Sequence, residues 1–171
     1  MDEFFGYGSL VNLGTHTYAG ARRITVRGWA RTWRHAAGRS HAFLTATPDA
    51  GGVIDGIAAR VPNGDWSALD LREEAYIRTR LAEGPAIYHI PEGHHAPASV
   101  ANPILLSYLD VVVKGYLTEF GEDGVARFFA TTSGWDAPIL DDRAAPLYPR
   151  AQQLTLAETA LVDDWRGRVT S

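Results

Sequence analysis

The run WSALDLREEAY, Trp66 to Tyr76, places a carboxylate where an apolar side chain is expected. On a helix turning about 100° per residue, Trp66, Leu69, Glu73 and Tyr76 share one face, and Glu73 sits near its middle. Burying an unpaired carboxylate costs several kcal/mol or shifts its pKa, so the position requires a reason. One reason is an ion pair with Arg72, Arg78 or Arg80, all close in sequence. The other is chemistry, because a partly buried carboxylate with a raised pKa suits a general acid or base near neutrality. Glu74 lies well round the side of the helix and reads as solvated. For Glu73 both readings stay open at this point.

Other residue types could also do chemistry. FFGYGSLVN, Phe4 to Asn12, is a turn of small residues after an apolar run, able to present backbone N–H groups to an anion. No Gly-Lys-Ser/Thr follows, so it is not a P-loop, and Val11 fills the third glycine position of a dinucleotide fingerprint. Taken alone, its glycines favour an ordinary tight turn. Between Arg22 and Arg34, arginines and tryptophans alternate in a pattern that can grip single-stranded nucleic acid. A rim of arginines with tryptophans covered by the C-terminal coil accounts for it better, since the net charge is −4. His94 and His95 are adjacent in a loop and point apart, a poor metal pair without a third ligand. The five tryptophans, Trp135 and Trp165 among them, read as packing.

Composition narrows the classes further. The chain has 171 residues, 46% hydrophobic and 21% charged, the balance of one ordinary globular domain. It has no cysteine, which excludes disulfides, thiolate metal sites and cysteine nucleophiles. All but one of its 16 basic residues are arginine, the exception being Lys114. The opening MDEFFGYGSL lacks the basic start and apolar stretch of a signal peptide, and no segment reaches membrane-spanning length. A cytoplasmic protein without membrane or nucleic-acid partners is the expectation.

The elements that must position these residues follow from periodicity. Glu3 to Tyr7 reads as a short buried strand. In Arg22 to Arg34, Ile24, Val26, Gly28 and Ala30 fall on one face, while Arg23, Thr25, Arg27, Trp29, Arg31 and Trp33 fall on the other. His41 to Thr47 and Val53 to Val61 suggest a hairpin around PDAGG. Asp65 is placed to cap a helix running to about Glu74. Tyr76 to Leu81 and Ala86 to Ile90 are strands about an EGP turn. A long helix is expected from Asn102 to a stop near Gly121, with a shorter one through VARFFATT. Residues 134–150 read as an ordered surface coil, and LTLAETALVDDW as a closing helix. Strands first and helices late favour α+β, a small mixed β-barrel or strongly curled sheet flanked by helices. The whole, residues 1–171, is expected to be one domain, with 134–171 packed on it as coil and helix.

Two segments together resemble a known family. Tyr7-Gly8-Ser9-Leu10 after the first strand, then Leu69-Asp70-Leu71-Arg72-Glu73 on a helix, are similar to the γ-glutamylcyclotransferase family with its AIG2-like and ChaC-like relatives. Tyr108 followed by Gly115, and the strand VRGWARTW, also resemble that family's pattern over roughly residues 4 to 121. Glu74 departs from the small residue common after the family's glutamate, and the tail from Trp135 to Arg150 lies outside the pattern. The resemblance implies an enzyme of glutathione or related metabolism, without cofactor or metal. It would cyclise a γ-glutamyl amine, amino acid or peptide to 5-oxoproline and release the amine. It implies Glu73 as catalytic acid and base, with Tyr7, Gly8, Ser9 and Leu10 binding the glutamyl end. Tyr76 and Tyr108 are expected to line the site. A non-catalytic module holding a small acid or peptide end on the same fold is the alternative.

Overall fold

The apolar run after the acidic start does pair as a strand. In the computed structural model, which describes residues 2–170, β1 (Glu3–Gly6) buries Phe4 and Phe5 between two neighbouring strands. β2 (Arg22–Ala36) and β3 (Ala42–Arg60) follow, long and antiparallel. A short helix, α1 (Ser67–Arg72), leads to the antiparallel pair β4 (Ile77–Arg80) and β5 (Ala86–His89). The two-residue strands β6 (His95–Ala96) and β7 (Ile104–Leu105) precede the long helix α2 (Leu106–Ala130). β8 (Thr132–Ser133), β9 (Ile139–Leu140) and helix α3 (Leu156–Val169) come last.

The main sheet runs β4-β5-β1-β3-β2-β6, with β1 and β5 parallel and the other neighbours antiparallel. It is the mixed α+β sheet flanked by helices that the sequence suggests. Pairing between the end strands β4 and β6, which would close a barrel, is not found among the described residues.

Every residue from Leu106 to Val113 is buried, because this half of α2 is enclosed on all sides. Its buried polar side chains Ser107 and Asp110 are satisfied there, Ser107 by Asp142 and Asp110 by Arg143. Gly121, with φ of 72°, breaks α2 where the sequence suggests a stop, and the chain resumes as helix to Ala130. α3 starts with a capping box, Thr155 and Glu158 each accepting the other's backbone N–H. None of the helices is long and apolar enough to cross a membrane, among the described residues.

Three expectations need correction. Residues 42–48 and 53–58 do not form a hairpin with each other, because both pair with β2 as parts of one strand. Residues 49–52 bulge out between them. Opposite this irregularity the register of β2 shifts between Arg27 and Trp29, at Gly28 with φ of 87°. A shift of one residue exchanges the faces of a strand. Beyond it Arg31 and Trp33 turn inward, each 1% exposed, instead of continuing the solvent face. The interleaved arginine and tryptophan surface is therefore not presented as a stripe. Third, α1 ends at Arg72 rather than Glu74, and Asp65 accepts from the Ser67 N–H and hydroxyl while Trp66 occupies the cap position.

Candidate active site

Glu73 is positioned by the last turn of α1. Leu69 is fully buried in a cluster with Phe4, Leu10 and Tyr88, and its carbonyl accepts the Glu73 N–H at 2.9 Å. One turn beyond a buried leucine, Glu73 keeps the inward direction although it is already the C-cap residue. The chain then bends, the Tyr76 N–H bonding to the Glu73 carbonyl at 2.9 Å. The Glu73 side chain is 15% exposed, against 57% for Glu74, which pairs with Arg39 at 2.8 Å.

Glu73 lines a cavity of about 30 Å³ together with Tyr7, Gly8, Ser9, Leu10, Tyr76 and Tyr108. That is room for roughly one or two waters. An outer cleft of about 200 Å³ shares Ser9, Glu73, Tyr76 and Tyr108 and adds Arg39, Phe43, Glu74 and the segment Tyr148–Arg150. Glu74 thus stands at the outer rim and not in the inner cavity. The residues singled out in the sequence come together at one place.

The turn is held from several sides. A Cβ on Gly8 would lie 2.9 Å from the Tyr108 hydroxyl, so glycine permits that approach. The Tyr7 hydroxyl donates to the Tyr88 carbonyl at 2.5 Å, fixing β1 to β5 beyond the end of their ladder. Behind the turn the Tyr7 carbonyl accepts from Arg31 Nη1 at 3.1 Å and from the Tyr116 hydroxyl at 2.9 Å. Arg31 also donates to the Thr132 hydroxyl at 2.8 Å, and its guanidinium lies 4.6 Å from the Phe128 ring centre. Hydrogen bonds and ring contact offset the desolvation of this buried cation. Asn12 ends the turn by donating to the Val111 carbonyl at 2.9 Å. Gly115 lets α2 press against it, since a Cβ there would meet the Asn12 nitrogen at 2.6 Å.

The electrostatics are those of a desolvated pocket. Burial pushes the Glu73 carboxyl above its usual range, opposed by the charges of Arg72 and Arg150. Arg72 Nε stands 3.7 Å from the Glu73 carboxylate, so ion pairing is present and outweighed. The same guanidinium donates to the Ser9 hydroxyl at 3.2 Å and to the Thr15 carbonyl at 3.0 Å, joining helix to turn. Arg78 and Arg80 pair elsewhere, with Asp70 and Asp2. Burial also raises the hydroxyls of Tyr7, Tyr76 and Tyr108, which keeps them protonated and neutral. Tyr76 donates to the Leu44 carbonyl at 2.7 Å. A carboxyl of raised proton affinity beside neutral donors can accept and return one proton.

No family model matches this sequence, and no curated protein matches it. Among solved structures, one titled "Gamma-glutamyl cyclotransferase" overlays with a TM-score of 0.57 at 11% identity, covering 95% of this chain and 98% of that one. The chain has the γ-glutamyl cyclotransferase fold. An uncharacterized protein from Homo sapiens overlays with a TM-score of 0.55 at 12% identity, covering 95% and 98%. A cyclotransferase from yeast, titled as specific to glutathione, overlays at 0.44 and 12% identity, covering 99% of both chains.

Sequence reasoning missed several residues that build or hold this site. Arg31 had one visible signal, the glycine inside an otherwise regular strand, which marks a bulge. Tyr148 and Arg150 had none, because a coil segment carries no periodicity from which direction can be read.

Proposed function

We propose that the chain is a γ-glutamylcyclotransferase-like enzyme that converts a γ-glutamyl compound into 5-oxoproline and a free amine. The observation that carries this reading is Glu73, partly buried and raised in proton affinity, in one cavity with the Tyr7–Leu10 turn. The glutamyl end lies against the Tyr7–Leu10 turn beside Glu73, where the inner cavity meets the outer cleft, and the leaving amine extends into the outer cleft. The substrate's α-nitrogen attacks its own γ-carbonyl carbon, forming the ring bond. The bond from that carbon to the leaving nitrogen then breaks.

Glu73 takes one proton from the α-ammonium and returns it to the departing nitrogen as the bond breaks. The second proton, lost by the ring nitrogen once it is bonded to the carbonyl carbon, passes through the same carboxylate to the released amine, so the enzyme ends unchanged. Closure of a five-membered ring supplies the proximity that a nucleophile or metal would otherwise supply, and the reaction calls for no cofactor. Backbone donors of the Tyr7–Leu10 turn hold the substrate carboxylate or the developing oxyanion. Tyr76 and Tyr108, neutral and fixed, wall the passage between the two spaces. Cytoplasmic residence is part of this proposal.

The test is release of 5-oxoproline from a panel of γ-glutamyl amines, amino acids and peptides, by the wild type and by Glu73→Gln. Turnover by the wild type alone supports the assignment. Binding of panel members without turnover would replace the enzyme with a binding module on the same fold.

A further inference from the structure

The outer cleft is walled on one side by a segment outside the main sheet. Two anchors fix it. Asp142 accepts the Ser107 N–H at 2.8 Å and the Leu147 N–H at 2.8 Å, tying the coil to the start of α2. Arg143 pairs with Asp110 of α2 and Asp163 of α3, at 2.8 and 2.7 Å. The coil then seats Tyr148, 6% exposed, edge-on to Tyr108 at 5.0 Å between ring centres. Two residues later Arg150 lines the cleft.

Arg150 differs from the other arginines of the cleft. Arg39 is held by Glu74 and Arg72 by Glu73. Among the described residues, no carboxylate forms an ion pair with Arg150. Its charge nevertheless reaches the centre, opposing the rise of the Glu73 pKa and adding to the depression of that of Arg72. The cleft therefore holds three arginines against two glutamates, with one cation uncompensated.

We propose that Arg150 is a specificity-determining residue of the C-terminal coil, selecting a leaving amine that itself carries a carboxylate. The inference rests on the functional reading above and deepens it. The inner cavity and the outer cleft share Ser9, Glu73, Tyr76 and Tyr108, so an amine leaving from a carbonyl beside Glu73 extends into the outer cleft. That space suits a group of amino-acid size, and a guanidinium meets a carboxylate with two parallel donors. γ-Glutamyl amino acids and peptides are then favoured over uncharged γ-glutamyl amines.

The experiment compares γ-glutamyl-alanine with γ-glutamyl-alaninamide, a pair differing in one charge. For the wild type, KM is expected to be on the order of tenfold lower for the acid, with kcat little changed and the difference shrinking in high salt. Arg150→Gln is expected to raise KM for the acid alone and abolish the preference. Arg150→Glu is expected to invert it. Equal KM values in the wild type, or a preference that survives Arg150→Gln, would overturn the assignment. If the wild type releases no 5-oxoproline from either compound, the functional reading fails separately. Calorimetric titration of both compounds then decides the cleft: tighter binding of the acid, lost in Arg150→Gln, sustains it, and equal or absent binding overturns it.

Discussion

Glu73 combines a raised pKa with a near arginine, and this combination makes measurable predictions. Glu73→Gln preserves size and removes proton exchange at neutral pH, so turnover is expected to fall roughly 10²-fold or more. Glu74→Gln is a poor control because Glu74 stands on the cleft rim, paired with Arg39. Glu83→Gln is better, since Glu83 is exposed in the turn between β4 and β5, and it should leave kcat and KM unchanged. Equal losses in both variants would refute the shuttle. The wild-type kcat/KM profile should fall on its acid side at a pH above the ordinary glutamate value of about 4.3, where Glu73 gains its proton.

Stability carries the same signature. A carboxyl raised by burial is more readily protonated folded than unfolded, so its charging destabilises the fold as pH rises from the unfolded pKa through the folded one. The difference in melting temperature, Glu73→Gln minus wild type, should therefore increase from acid to neutral pH. A difference that decreases would mean Arg72 dominates.

At the level of elements, the site depends on how closely α2 approaches the Tyr7–Leu10 turn. Gly115→Ala would place a Cβ 2.6 Å from a backbone nitrogen, and backbone cannot rotate aside as a side-chain end can. The expected cost is about 1–3 kcal/mol, with a higher KM as the turn is displaced. Gly167→Ala is the contrast, on α3 with nothing within 4 Å of the new atom. It should stabilise by roughly 0.5–1 kcal/mol through helix propensity. Chemical denaturation of both variants tests the pair, and equal shifts would show that the close approach has no special cost.

Helical spacing made the inward direction of Glu73 legible, because Leu69 one turn earlier anchors it even as the helix ends. It made α2 and its break at Gly121 legible too. The inward turn of Arg31 was not, because one bulge at Gly28 reverses every later residue of β2 and alternation alone carries no mark of it. Nor was the course of residues 141–150, which is set by Asp142 and Arg143 reaching elements distant in sequence.

Across the whole molecule, the first half of α2 is enclosed between the sheet and the C-terminal segments. Val162 of α3 is fully buried, and Trp165 stacks on Phe129 of α2 at 5.2 Å, with Trp135 stacked on the same ring at 4.9 Å. Trp135 in turn meets Trp33 of β2 edge-on at 5.5 Å, so the aromatic row runs from sheet to α3. We propose on this ground that residues 1–171 unfold as one cooperative domain. Calorimetry should show a single transition whose measured enthalpy equals the van't Hoff enthalpy. A chain ended after Leu154 keeps every residue of the inner cavity, yet it loses Val162, Trp165 and the Asp163 partner of Arg143. Apolar surface of α2 would then face water, at about 25 cal/mol for each Å² exposed. That chain is expected to melt far below the wild type, or to lose its cooperative transition, and to lose activity with it. Retention of the wild-type melting temperature would show that the sheet with α2 is a domain by itself and that the tail is an appendage.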